Sequence, residues 1–169
     1  MADKFLRNNS GTLTETEATV TSAGAGNAGD IVALDSTGRL DESVLPVGIG
    51  ADTALILASE ALSAGDFVNV YSNAGTANVR KADGTAAGKP ADGFVLAAVS
   101  SSANATVYFE GTNTQCSGLT PGQQYLSGST AGAAVSSAPS GAGKVVQKIG
   151  VAISTTALNF ERGEPIVLA

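Results

Sequence analysis

Residues 93–111 read Gly93-Phe-Val-Leu-Ala-Ala-Val99, Ser100-Ser-Ser-Ala-Asn104, Ala105-Thr-Val-Tyr-Phe-Glu-Gly111. Val95, Ala97 and Val99 alternate with their neighbours, as do Ala105, Val107 and Phe109, while Thr106, Tyr108 and Glu110 fall on the opposite face. Two runs of period two around a small polar turn predict a β-hairpin. A looser copy follows: Gly150-Val-Ala-Ile153, Ser154-Thr-Thr156, then Ala157-Leu-Asn-Phe160-Glu161-Arg-Gly163. The alignment makes Phe109 and Phe160 equivalent, and both are expected in the core.

The duplication extends upstream at the same offset. Leu62-Ser-Ala-Gly65 leads into Phe67 to Tyr71 and Ala74-Gly75, and Leu119-Thr-Pro-Gly122 leads into Gln123 to Leu126 and Ala131-Gly132. Each half reads as a tight turn, a strand, a Gly turn, a strand, a variable loop and the hairpin; Pro121-Gly122 suits the centre of a type II turn. Two units are too few for a stacked array. The expected fold is all-β, a β-sandwich or β-barrel built from two pseudo-repeats and preceded by an extended N-terminal arm and a short connector. The boundaries read as 1–29 for the arm, 30–50 for the connector and 51–169 for the β-rich domain.

A chain of 169 residues suits one domain with an arm. Leu, Ile, Val and Phe make up roughly 23% of it, little above the about 20% below which chains tend to disorder. Much of the hydrophobic content is Ala, and Gly is abundant at 21 residues, so the core is thin and apolar surface is best borrowed from other subunits. The net charge of −6, with nine scattered Lys and Arg, argues against a nucleic-acid surface. The single Cys116 excludes an internal disulfide framework and reads as a small buried thiol in a protein folded in a reducing cytosol. Residues 1–7 lack a following apolar region of the signal-peptide kind, and Ala54-Leu-Ile-Leu-Ala58 is far too short to span a membrane. Synthesis in a cytoplasm, with no membrane partner, is the expectation.

The arm carries Phe5, Leu6, Leu13 and Val20 as its only sizeable apolar groups after Met1, amid Thr14-Glu-Thr-Glu17 and a Gly-rich run to Gly29. It is too poor in apolar side chains to fold alone. Its Thr-rich, β-prone character suits a segment that orders against a partner, with Phe5, Leu6, Leu13, Thr14, Thr16 and Val20 as candidate contacts. Ile31-Val-Ala-Leu34 predicts a short strand and Asp35-Ser-Thr-Gly38 a turn. Asp41 predicts the N-cap of one helical turn ending before Pro46. Glu164-Pro-Ile-Val-Leu168 predicts a terminal edge strand.

As a whole, Ile31-Val-Ala-Leu-Asp-Ser-Thr-Gly-Arg-Leu-Asp-Glu-Ser-Val-Leu-Pro46 closely resembles a linker of tailed-bacteriophage virion proteins, both head decoration proteins and fibres. There it joins an N-terminal attachment segment to a β-rich domain. Ala64-Gly-Asp-Phe-Val-Asn-Val70, with residues 93–98 and 105–111, also resembles small β-rich capsid decoration (cement) proteins. The resemblance implies a homotrimer on the outer surface of a capsid, with the major capsid protein as partner and head stabilisation as the function. A fibre, spike or collar subunit contacting host or tail components is the alternative it leaves open.

Enzyme chemistry finds little purchase, and no cofactor or metal is expected. With no histidine, a Ser-His-Asp triad and a His-ligated zinc site are excluded. Gly24-Ala-Gly-Asn-Ala-Gly29 spells a dinucleotide fingerprint, but neither a preceding strand nor a following helix is predicted. Asp35, Thr37 and Gly38 lack the later Gly and Glu of a calcium loop. Glu110 and Glu161 recur at equivalent strand ends, which a duplicated solvated end explains without invoking an acid/base pair. Tyr71, Tyr108 and Tyr125, without Trp, make a poor sugar-stacking platform and read as sheet-edge covers.

Overall fold

A computed structural model of the chain describes residues 4–45 and 50–169. It falls into two compact units, Met1–Gly50 and Ala51–Ala169. The protein is all-β, and among the described residues only two short 3₁₀ turns interrupt its strands.

In the N-terminal unit, β1 (Lys4–Asn9) and β2 (Thr12–Glu17) form an antiparallel hairpin, so the predicted arm folds back on itself. The reversal falls on Ser10 and Gly11, at φ +53° and +92°. A two-residue loop with both φ values positive matches the twist of the flanking strands, and Gly supplies the second at no steric cost. Next come a 3₁₀ turn at Gly24–Asn27 and a second at Glu42–Val44. The strand expected at residues 31–34 reduces to one parallel bridge, Thr19 to Val32. The segment between Val20 and Asp30 curls into turns and offers it no continuous partner strand.

The C-terminal unit is built from a barrel, a five-stranded sheet and a small two-stranded sheet. β3 (Thr53–Ala58), β4 (Phe67–Asn73), β5 (Thr76–Lys81), β6 (Gly93–Phe94) and β7 (Asn104–Tyr108) close into a barrel in the order β3-β5-β4-β6-β7. β3 completes it by pairing antiparallel with β7 from Thr53↔Tyr108 to Leu57↔Asn104 and parallel with β5 at Leu57 and Ala58. A five-stranded antiparallel sheet follows, from β8 (Gly111–Asn113), β9 (Gly122–Leu126), β10 (Ala134–Val135), β12 (Lys148–Ala152) and β13 (Leu158–Phe160), ordered β10-β9-β12-β13-β8. β11 (Val145–Val146) pairs only with the terminal β14 (Ile166–Val167).

The two halves echo one another in connectivity. β4 pairs with β6 and β6 with β7; β9 pairs with β12 and β12 with β13. The second copy carries a register shift between Lys148 and Gly150. Gly150 sits at φ +134°, and a Cβ there would lie 2.0 Å from the Asn159 carbonyl oxygen, so only Gly fits this bulge.

Alternation holds where it was read most clearly. Ala105 and Val107 are buried inside the barrel with Ile56, Ala58, Leu62, Val68, Val79 and Val95. Residues 93–99 are no continuous strand, however. After β6 the Gly65 N–H donates to the Val95 carbonyl and the chain bends at Leu96 and Ala97. Val99 then bridges to Leu62. Exposed Ala97 and Ala98 bury too little apolar surface to hold a second ladder there.

The second apolar cluster joins barrel to sheet through Phe67, Phe94, Leu126, Ile149, Leu158 and Phe160. Phe160 stacks on Phe67 at 5.8 Å and meets Phe94 edge-on at 5.7 Å. Phe109 does not share this role. It is half-buried against the barrel cluster, while its neighbour Tyr108 turns to the aromatic cluster and stacks on Phe94 at 5.4 Å. Equivalent strands thus carry non-equivalent Phe side chains, because the barrel closes on itself and the second sheet packs against it.

Candidate functional site

The candidate contacts lie in the N-terminal unit, and the hairpin register sorts them onto two faces. Phe5, opposite Thr16, shares a face with Thr14, and Phe5 and Thr16 are half-buried. Thr14 is exposed, and its hydroxyl donates to the Arg7 carbonyl at 3.3 Å. Leu6 and Leu13 lie on the other face, 72% and 69% exposed, beside the Lys4–Glu15 ion pair at 3.4 Å. Val20 is half-buried just past the Thr19 bridge. The six residues are therefore split: two leucines outward, Phe5, Thr16 and Val20 partly covered, Thr14 in solvent.

Short polar contacts hold the unit together. Asp30 is a hub: Asn27 Nδ2 donates to it at 3.0 Å, Thr19 Oγ1 at 3.1 Å, and the Arg7 guanidinium lies 3.8 Å away. Those hydrogen bonds, Asn27 first and then Thr19, hold its carboxyl below the usual value. Asp35 closes its turn by accepting from Thr37 Oγ1 (2.7 Å), Thr37 N–H (2.8 Å) and Arg39 N–H (3.0 Å). Its acidity is strengthened chiefly by the Thr37 hydroxyl. Asp41 caps the second 3₁₀ turn as the sequence predicts, accepting from the Ser43 hydroxyl and N–H, and its pKa is lowered by the same residue. Pro46, expected to end that turn, lies outside the described residues.

What the unit lacks is a core. None of its described residues from Lys4 to Leu45 is buried. Besides Leu6 and Leu13 it exposes Ile31, Val32, Leu34 and Leu40. Sequence reasoning assigned the first three of these four to a folded strand and passed over them as contacts. The missing signal was the absence of any apolar run nearby to cover them.

Most buried polar side chains of the C-terminal unit find partners inside it. Asp92 accepts from Asn69 Nδ2 and from the Val70 N–H, both at 2.9 Å, and pairs with Arg162 at 3.1 Å. Arg80 donates to Asn69 Oδ1 and lies 4.3 Å over the Tyr71 ring, so that tyrosine covers a guanidinium. Cys116 is half-buried, and burial pushes its thiol up to about 11, which keeps it protonated at neutral pH. Glu110 and Glu161 are exposed, the latter paired with Lys148 at 3.1 Å. Gly24–Asn27 forms a 3₁₀ turn, with no helix to receive a pyrophosphate. Among the described residues no cluster of three or more His, Cys, Asp or Glu is placed to hold a metal ion, and no helix is long and apolar enough to cross a membrane. Comparison with known protein families, curated proteins and solved structures returns no match.

Proposed function

We propose that the protein is a structural component of a tailed-bacteriophage virion, a capsid decoration (cement) protein that binds the outer capsid surface through its N-terminal unit. The observation that carries this reading is the contrast between the units. The C-terminal unit owns two apolar clusters, whereas among its described residues the N-terminal one buries none and exposes six large apolar side chains. A segment of this kind gains its stability by laying those side chains on a partner. The linker-like sequence of residues 31–46 points to the major capsid protein as that partner, with the β-barrel unit displayed outward as part of a homotrimer.

The activity is binding without chemistry. Attachment to assembled shells, and not to free subunits, stabilises the shell by mass action. Copy number in purified virions tests the reading directly. A number comparable with that of the major capsid protein is expected; a handful per particle refutes decoration and makes the chain a fibre, spike or collar subunit. In a binding assay with emptied capsids, Leu6→Asp combined with Leu13→Asp abolishes attachment while the C-terminal unit keeps its melting profile. Undiminished binding by that variant removes the hairpin face from the contact.

A further inference from the structure

Leu55 and Leu57 stand on the outward face of β3, 73% and 40% exposed, while Ile56 between them is buried in the barrel. Their register partners on β7, Thr106 and Asn104, are exposed on the same face. On the far side of β7 the wall parts. β6 stops pairing with β7 after Phe94↔Tyr108, so residues 96–99 stand off from it. The gap is a cleft of about 270 Å³, floored by Asn104, Thr106 and Tyr108 and walled by the apolar run from Leu96 to Val99. A ridge of two leucines and a socket thus lie side by side on one barrel wall.

We propose that this wall is the contact between copies of the chain, with Leu55 and Leu57 of one copy seated in the β7 cleft of the next. Charge favours a second copy as the occupant. Each copy carries a net charge of −6, and like charges brought together across an interface are strongly unfavourable, yet neither β3 nor the cleft lining holds a charged side chain. Size agrees: a cavity of about 150 Å³ holds benzene, so the cleft has room for two leucine side chains. The barrel also sets the symmetry. Neighbouring strands of a five-stranded barrel face outward about 72° apart, and ridge and socket floor are one strand apart. Faces about 60° apart close a head-to-tail ring of three, whereas a two-fold pair needs ridge and socket to face the same way. This contact rests on the homotrimer in the reading above and supplies its interface; capsid attachment belongs to the other unit.

The test is sedimentation equilibrium of the full chain from about 1 to 100 µM. The wild-type chain is expected as a trimer. Leu55→Glu with Leu57→Glu spoils the ridge, and Ala98→Arg, in the exposed bend, fills the socket. Each sediments as a monomer, its dissociation constant raised at least about a hundredfold, with the strand signal in circular dichroism retained. Mixed in equal amounts, the two variants form a one-to-one pair, because the intact socket of the first accepts the intact ridge of the second. If the leucine variant does not fold, Ala98→Arg decides alone. A wild-type monomer throughout the range overturns the contact and the homotrimer together. A wild-type trimer that persists in the folded variants overturns this contact and leaves the homotrimer standing. A wild-type dimer, or two monomeric variants that do not pair when mixed, refutes the head-to-tail arrangement.

Discussion

Phe109 and Phe160 stand at matching places in the duplicated pattern, yet truncating each to Ala has different consequences. Phe160 is 4% exposed and touches two other rings, Phe67 and Phe94. Truncating a core Phe costs about 3–5 kcal/mol, cavity included. Aromatic pairs contribute about 0.5–1.5 kcal/mol each beyond area. With two pairs lost, Phe160→Ala belongs in the upper half of that range, about 4–5 kcal/mol. Phe109 is half-buried at the margin of the barrel cluster. Full burial of such a side chain is worth about 1.5–3 kcal/mol, so its partial cover is worth about 1–2 kcal/mol. Against a domain stability of about 5–15 kcal/mol, the first loss is severe and the second mild. Urea titrations of the two variants, with unchanged slope confirming that only stability moved, measure both numbers. Equal losses, or a Phe160→Ala loss below about 2 kcal/mol, refute the asymmetric packing.

Three further outcomes follow from the same geometry. Gly150→Ala places a Cβ against the Asn159 carbonyl at φ +134° and destabilises by more than about 2 kcal/mol in thermal melts, whereas Gly26→Ala, with open space around it, stays within about 0.5 kcal/mol. Gln147 accepts from the Ala91 N–H at 2.7 Å and donates to the Ala91 and Gly163 carbonyls at 2.9 and 3.0 Å. Gln147→Leu orphans those three groups and lowers stability by at least about 3 kcal/mol, with backbone amide exchange rising first at Ala91. Asp30, Asp35 and Asp41 all have folded pKa values below 3.8, so the unfolded chain takes up protons first as pH falls. Their stabilisation is complete above the unfolded value and disappears as pH falls through the folded ones; limited proteolysis with an acid-active protease should therefore open residues 4–45 below about pH 4. Resistance there equal to that at neutral pH contradicts the assignment.

The parts of the fold that were legible are those decided within a few residues. The Asp35 turn and the Asp41 cap involve partners two to four residues away, and both are visible as letters. Alternation in residues 105–107 survived because a barrel wall has two distinct faces. The hairpin in the N-terminal unit was also written locally, as Ser10-Gly11 between two alternating runs, but the low apolar content of that segment drew the reading toward a single extended arm. Non-local decisions left no such mark. Gln147 bonds across 56 positions and Asn113 across 48, reaching the Gly65 carbonyl at 2.9 Å, so nothing in either neighbourhood distinguishes a buried stitch from a surface amide. The parallel pairing of β3 with β5, Leu57 with Asn78, is likewise non-local though over a shorter span, and it is this contact that makes the first sheet a closed barrel.

That closure has a mechanical side. β3 begins at Thr53, so tension transmitted along the chain from the N-terminal unit enters the barrel at the first residue of its closing strand. β7 grips β3 along five residue pairs on one side, and β5 holds only its far end, Leu57 and Ala58, on the other. A pull in line with the strand loads these hydrogen bonds in shear, all together, instead of unzipping them one at a time. A barrel tethered this way resists extraction at the point where its leash is tied, and its lifetime under load is set by the rate at which that strand slides free.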